Sequence, residues 1–231
     1  MASGITTPAH AYARFLKAWP AIVDECRAVW ASELHYQAMI YHALRTAGRV
    51  PREQLGMNVK IMIEDPCSDE FRTRDLRCRP EYQGGYEPTP DIAIFHRWVW
   101  GDFRRRNCDE TFDNLLLAAE VKVSERADSR LQPGEVISDI RKLDALRYEV
   151  REWESEIIPA MLVIDTAETA EERMTRLSLG RVREFAEELD VPFFYCGRYR
   201  CIAPDDAPNV QQSGRGWPGE SPILLFPSHP G

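Results

Sequence analysis

Three charged residues of this chain stand where a charge is costly. Asp91 opens the run PDIAIFH, and Glu120 and Lys122 fall inside LLLAAEVKVS. The unbroken apolar stretch from Leu115 to Ala119 describes a strand buried on both faces. Glu120 and Lys122 then arrive around the apolar Val121, and side chains two apart on a strand share a face. An acid and an ammonium are presented together at the end of a core strand, where each is expensive unless it is paired or binds something. If the two runs pair as antiparallel neighbours, the start of the first lies beside the end of the second. Asp91 then joins Glu120 and Lys122 at one edge of the sheet. Two carboxylates this close repel unless a proton or cation sits between them. A hard divalent ion, Mg²⁺ or Mn²⁺, takes such oxygen ligands and usually keeps waters for a substrate phosphate. Beside it, Lys122 can orient or help deprotonate the attacking water, or neutralise charge developing on a phosphoryl oxygen. These parts fit metal-assisted phosphodiester hydrolysis. The plainer reading of the same residues is a Glu120–Lys122 ion pair at a strand end, with Asp91 as a turn residue.

The elements that must position these groups follow from the apolar periodicity. Thr7-Pro8 reads as a helix start, with Tyr12, Phe15, Leu16 and Trp19 as its stripe. Pro20 is expected to interrupt that helix before a second segment through Val23, Cys26 and Val29. Ser32 can cap a further helix ending at Gly48. MNVKIMIE alternates Val59, Ile61 and Ile63 as a half-buried strand. PDIAIFH is a second strand, with Pro90 at its tolerant first position, and LLLAAEVKVS a third. PGEVISDIRKLDALRYEVREWE is an amphipathic helix with Val136, Ile140, Leu143 and Leu146 inward, and MLVID a fourth strand. A helix over roughly 167–189, with Gly180 a candidate kink, and a hairpin in VPFFYCGRYRCIA complete the order. A helix, a three-strand meander, a helix and a strand paired in parallel through a helical crossover make a mixed α/β sheet flanked by helices.

At 231 residues with 44% hydrophobic and 29% charged residues, the chain reads as one globular domain. Residues 1–31 are expected as an N-terminal helical extension, 32–203 as the core and 204–231 as a Pro- and Gly-rich tail that wraps it. No apolar stretch approaches a membrane span, and the start of the chain lacks a signal-peptide pattern, so a cytoplasmic protein with no membrane partner is expected. The six cysteines form no CxxC pair and read as reduced thiols; a zinc site from Cys196, Cys201 and a histidine is a loose alternative. The net charge of −8 argues against a protein held to nucleic acid by bulk positive charge.

PD at Pro90-Asp91 and EVK at Glu120-Val121-Lys122, in this order of elements, resemble the PD-(D/E)xK nuclease superfamily, whose fold is restriction-endonuclease-like. The resemblance covers about residues 32–165. It implies a Mg²⁺-dependent nuclease in which Asp91 and Glu120 bind the metal together with the backbone carbonyl of Val121. Lys122 would then assist the attacking water, and hydrolysis would leave a 5′-phosphate. DNA is preferred over RNA as the substrate, with a single-strand or RNA-directed nuclease, or a subunit of a larger complex, as a further reading. A further glutamate on the preceding helix is common in the family. Glu33 is the candidate here, with a plain helix-start role favoured by the macrodipole as its alternative, and Glu64 competes for the place. Asp139, Arg141 and Lys142 match the polar positions that face substrate on the next helix. The chain departs from the family pattern in its acidic net charge and in the insertion RWVWGDFRRRNCDETFDN. In that insertion Trp98 and Trp100 can stack on bases, and Arg104, Arg105 and Arg106 can meet phosphates. Cutting both strands of a duplex with one site per chain would favour a homodimer. The alternative from another class is a non-catalytic interaction or inhibitor module that keeps the fold and binds a basic protein partner.

Overall fold

The structure is a computed structural model and describes residues 4–75, 85–104, 107–126 and 129–210. Its strands are β1 (Leu55–Met57), β2 (Ile92–Phe95), β3 (Leu115–Val123), β4 (Ile158–Asp165), β5 (Phe193–Gly197) and β6 (Cys201–Ile202). They form one six-stranded mixed sheet in that spatial order. The first three make an antiparallel meander, β4 and β5 continue parallel to β3, and β6 returns antiparallel. α1 (Pro8–Ala28) and α2 (Glu33–Thr46) cover one face; α5 (Pro133–Glu152) and α6 (Arg176–Glu188) cover the other. Two further α-helices among the described residues are short, α3 (Asp69–Asp75) beside α5 and α4 (Cys108–Asp113) before β3.

Strand alternation divides the core between the two faces. Ile92, Ile94, Leu117, Ala119 and Val121 pack toward α1 and α2, while Ala93, Phe95, Ala118, Met161 and Val163 pack toward α5 and α6. Glu120 and Lys122 alternate with Val121 and so leave β3 on the α5 side. Both core strands are buried almost throughout, as parallel strands covered on both faces must be.

The helix expected to break at Pro20 is a single helix, capped by Thr7, whose hydroxyl accepts from the His10 N–H at 3.2 Å. A mid-helix proline costs about 3 kcal/mol. Phe15, Leu16, Trp19, Ile22, Val23 and Cys26 are all buried on the sheet, at about 1.5–3 kcal/mol for each large apolar side chain, which outweighs the lost bond. The first strand, expected over 57–64, is Leu55–Met57 instead and shares only Met57 with that run. Val59, Ile61 and Ile63 are buried as the alternation requires, yet beyond β1 the segment keeps only scattered bonds to residues 86–91. Pro88 and Pro90 in the facing segment have no N–H to return, so a regular ladder cannot form. Asn58, at φ 53°, also leaves the extended region. The helix expected from residue 167 begins at Arg176, where the Thr175 hydroxyl caps it through the Ser178 N–H at 3.0 Å, and it runs on through Gly180. Ser32 makes no side-chain cap on α2; the Glu125 carboxylate takes the Glu33 N–H instead, at 2.7 Å. Ala207 and Val210 pack against the α1 side of the core, and the rest of the tail, with its ILLF run, lies outside the described residues.

Candidate active site

The register of the meander brings the expected charges together. Ile92 pairs with Ala119, so the next step sets Asp91 against Glu120 and beside Val121. Asp91 is only 7% exposed and is held from two sides. Its Oδ2 accepts the Val121 N–H at 2.7 Å, and its Oδ1 accepts Gln37 Nε2 at 2.7 Å. Gln37 is fixed in turn, because its Oε1 accepts Asn58 Nδ2 at 2.9 Å. A strand residue sends its N–H and C=O toward the same neighbour. The Val121 carbonyl therefore leaves β3 on the Asp91 side.

Lys122 stands between acids from both helical layers. Its Nζ is 3.0 Å from Asp139 Oδ2 on α5 and 3.5 Å from Glu33 Oε2 at the start of α2. Lys142 pairs with the other Asp139 oxygen, so two ammonium groups share one buried carboxylate. Glu33 thus reaches the cluster, while Glu64 is exposed, one residue past the Ile63–Tyr86 bridge. Two clefts flank the cluster. Glu33, Lys122, Glu125, Arg126, Arg130 and Glu135 line one; Tyr86, Pro90, Glu120 and Lys142 line the other.

The electrostatics follow from this crowding. Burial pushes the Glu120 carboxyl well above its ordinary range, reinforced by Asp91 and Asp139 and opposed by Lys142 and Lys122. Burial also raises Asp91, against the Val121 N–H, Lys122 and a hydrogen bond with Glu120. The two carboxyls therefore hold a proton between them more readily than two isolated acids would. Glu33 is raised chiefly by burial. Lys122 is raised although burial opposes it, because Asp139, Glu33 and Glu120 favour its charged form. The Asp91 oxygens accept from Gln37 Nε2 and the Val121 N–H, and the bond with Glu120 holds a proton where a cation could sit instead. With Glu120 and the Val121 carbonyl, Asp91 offers a hard oxygen set that suits a small dication in place of the shared proton. Among the described residues no group of three or more His, Cys, Asp or Glu side chains gathers as a metal site. The expected set has two carboxylates and one carbonyl.

The other expected substrate contacts fall elsewhere. The insertion leaves the end of β2 and returns at the start of β3, opposite the Asp91 end. From the Phe95–Leu115 pair to Val121 runs about six residues of β3, roughly 20 Å at ~3.4 Å per residue. Trp98 and Trp100 are exposed there, and Arg104 is paired with Asp102 beside them. Arg105 and Arg106 lie outside the described residues. Arg141 points off the opposite side of α5, its guanidinium 5.3 Å from the centre of the Phe185 ring. Among the described substrate-facing candidates, Asp139 and Lys142 meet the cluster.

The fixed partners of the site have sequence signals that are easy to pass over. Asp139 falls on the Val136–Ile140–Leu143 stripe of α5, a position a solvated acid would not take. Gln37 likewise lies on the buried stripe of α2 with Tyr36, Ile40 and Leu44. Compared with protein-family models, curated proteins and solved structures, the chain matches none.

Proposed function

We propose that this chain is a Mg²⁺- or Mn²⁺-dependent nuclease of restriction-endonuclease-like fold. In this reading Asp91, Glu120 and the Val121 carbonyl are the metal ligands and Lys122 is the catalytic lysine. The observation that carries the reading is the meeting of Asp91, Glu120 and Lys122 at one end of β3, with Asp91 held by Gln37 and the Val121 N–H and Lys122 held by Asp139. The order of helix, antiparallel β1–β3, helix and parallel β4 supports it as well. The dication would acidify the attacking water and neutralise charge on the phosphodiester. Asp91 keeps its two oxygens aimed by Gln37 and Val121. Lys122, paired with Asp139 and Glu33, stays an ammonium, so its work is to orient the nucleophile and stabilise developing negative charge rather than to take a proton. Lys142 adds a second cation beside Glu120 where a phosphate would lie.

DNA is the proposed substrate, with a homodimer for cutting a duplex. The −8 net charge favours a second reading, a non-catalytic module that meets a basic protein partner. The deciding experiment incubates wild type and Lys122→Ala with supercoiled plasmid, linear duplex, single-stranded DNA and RNA. Each is run with Mg²⁺, with Mn²⁺ and with EDTA. Metal-dependent cleavage that Lys122→Ala abolishes is the expected result. No cleavage, together with no calorimetric metal binding that depends on Asp91 and Glu120, would sink the nuclease reading.

A further inference from the structure

The hairpin of β5 and β6 holds a pair of sulfurs that the proposed hydrolysis does not use. Cys196 and Cys201 are register partners across the two strands. One step toward the turn, the Gly197 N–H donates to the Arg200 carbonyl at 2.8 Å. The cysteines therefore occupy the adjoining non-hydrogen-bonded position, where opposed Cα atoms stand about 4.5 Å apart. That spacing lies at the short end of the ~4.4–6.8 Å a disulfide spans, so the bond is reachable.

The two thiols are not equivalent. Arg27, in the last turn of α1, brings Nη2 to 3.1 Å from Cys201 Sγ while its Nε donates to the Gly197 carbonyl at 2.9 Å. A guanidinium is a permanent cation, and a cation beside a sulfur favours the thiolate. Cys201 is half-buried, within reach of a small reagent, whereas Cys196 is fully buried beneath it. The Cys201 thiol is drawn below its ordinary range by its hydrogen bond with Cys196 and by Arg27, against burial. Cys26, buried in the same layer, is pushed up to about 12 by burial.

The geometry points to a peroxide-oxidisable dithiol, with Cys201 as the attacking thiolate, Cys196 as the resolving thiol and a reversible Cys196–Cys201 disulfide as the product. In the first step the Cys201 sulfur attacks a peroxide oxygen, the O–O bond breaks, and hydroxide leaves to be protonated as water. Cys201 is then a sulfenic acid. In the second, Cys196 gives up its proton, its sulfur attacks Cys201 Sγ, the S–O bond breaks and a second water leaves. The two thiols supply the two electrons that reduce one peroxide.

The test uses the full chain treated with a few equivalents of hydrogen peroxide, alkylated, and digested with trypsin, which cuts after Arg198 and Arg200 and so separates the two cysteines. The expected product is a Cys196–Cys201 linked peptide pair that dithiothreitol releases and that forms about tenfold faster than Cys67 is oxidised. Cys196→Ser should halt the reaction at a Cys201 sulfenic acid that dimedone traps. Arg27→Met should slow both oxidation and alkylation of Cys201 about tenfold with an unchanged circular dichroism spectrum. The proposal is overturned if Cys201 reacts no faster than Cys67, if the link forms to Cys26 instead, or if Arg27→Met leaves the rate unchanged. None of these readouts depends on nuclease activity.

Discussion

The Lys122 ammonium lies 3.0 Å from Asp139 Oδ2, an oxygen of a side chain only 3% exposed. A buried acid under the lysine gives it a fixed counter-charge. The lysine is anchored from α5 while Glu120 remains turned toward Asp91.

Removing the ammonium tests its role directly. Lys122→Ala is expected to lower cleavage by about 10²–10³-fold, the usual cost of losing one group that stabilises transition-state charge. Thermal unfolding should show a loss of about 1–3 kcal/mol, because Asp139 then keeps only Lys142 as partner. An unchanged cleavage rate would remove Lys122 from the mechanism.

Asp139→Asn acts on the same lysine from below. Without that charge the Lys122 pKa falls, and the alkaline limb of the pH–rate profile should move to lower pH. The rate near neutrality should drop about tenfold. A uniform loss at every pH, with the limb unmoved, would mean that Asp139 only packs α5 onto the sheet.

The paired acids make a prediction for the metal-free protein. Burial raises the Asp91 and Glu120 pKa values above their unfolded ones, so folding takes up a proton there. The associated stability is present at acid pH and is lost as pH rises through the raised values. Glu120→Gln removes the repulsion and should raise the metal-free melting temperature at pH 8 by about 2–4 °C, the response of a chain this size to about 1 kcal/mol. Added Mg²⁺ should stabilise wild type more at pH 8 than at pH 5.5, since the ion competes with the shared proton. Glu120→Gln should abolish that response. Differential scanning fluorimetry across pH, with and without Mg²⁺, reads both effects.

Gln37 carries no charge, yet it aims an Asp91 oxygen. Gln37→Leu should weaken Mg²⁺ binding about tenfold, as loss of a group that orients a metal ligand does. Titration calorimetry on the variant measures this, and an unchanged affinity would show that the Val121 N–H alone suffices.

Arg104→Ala should change cleavage less than about twofold at physiological salt. The side chain is largely exposed, it is already paired with Asp102, and it sits at the other end of the strands. A large loss would mean that substrate runs the full length of the meander.

The meeting of Asp91, Glu120 and Lys122 could be read from the sequence because antiparallel pairing of two neighbouring apolar runs puts the start of the first beside the end of the second. The same pairing also decides where the insertion goes. A loop joining the end of β2 to the start of β3 must lie at the end away from Asp91, so the Arg104 and Trp98 expectation conflicted with the topology it accompanied. Other differences come from interactions that one segment cannot reveal. Pro20 is tolerated because the sheet beneath α1 holds its stripe. The strand expected to run through Ile63 loses its ladder to prolines about thirty residues away in the chain, and α6 starts after its Thr175 cap rather than near residue 167. Gln37 and Asp139 were visible as polar residues on apolar stripes, but their partners come from other elements.

The sheet tapers toward both margins. Its outermost strands have three and two residues, against nine and eight for the central pair. Edges this short offer little backbone for another chain to extend, which protects the fold from edge-to-edge aggregation. A second copy joining to cut both strands of a duplex would therefore associate through helical or loop surfaces. Its two centres would then be spaced by side-chain packing rather than by a shared hydrogen-bond ladder.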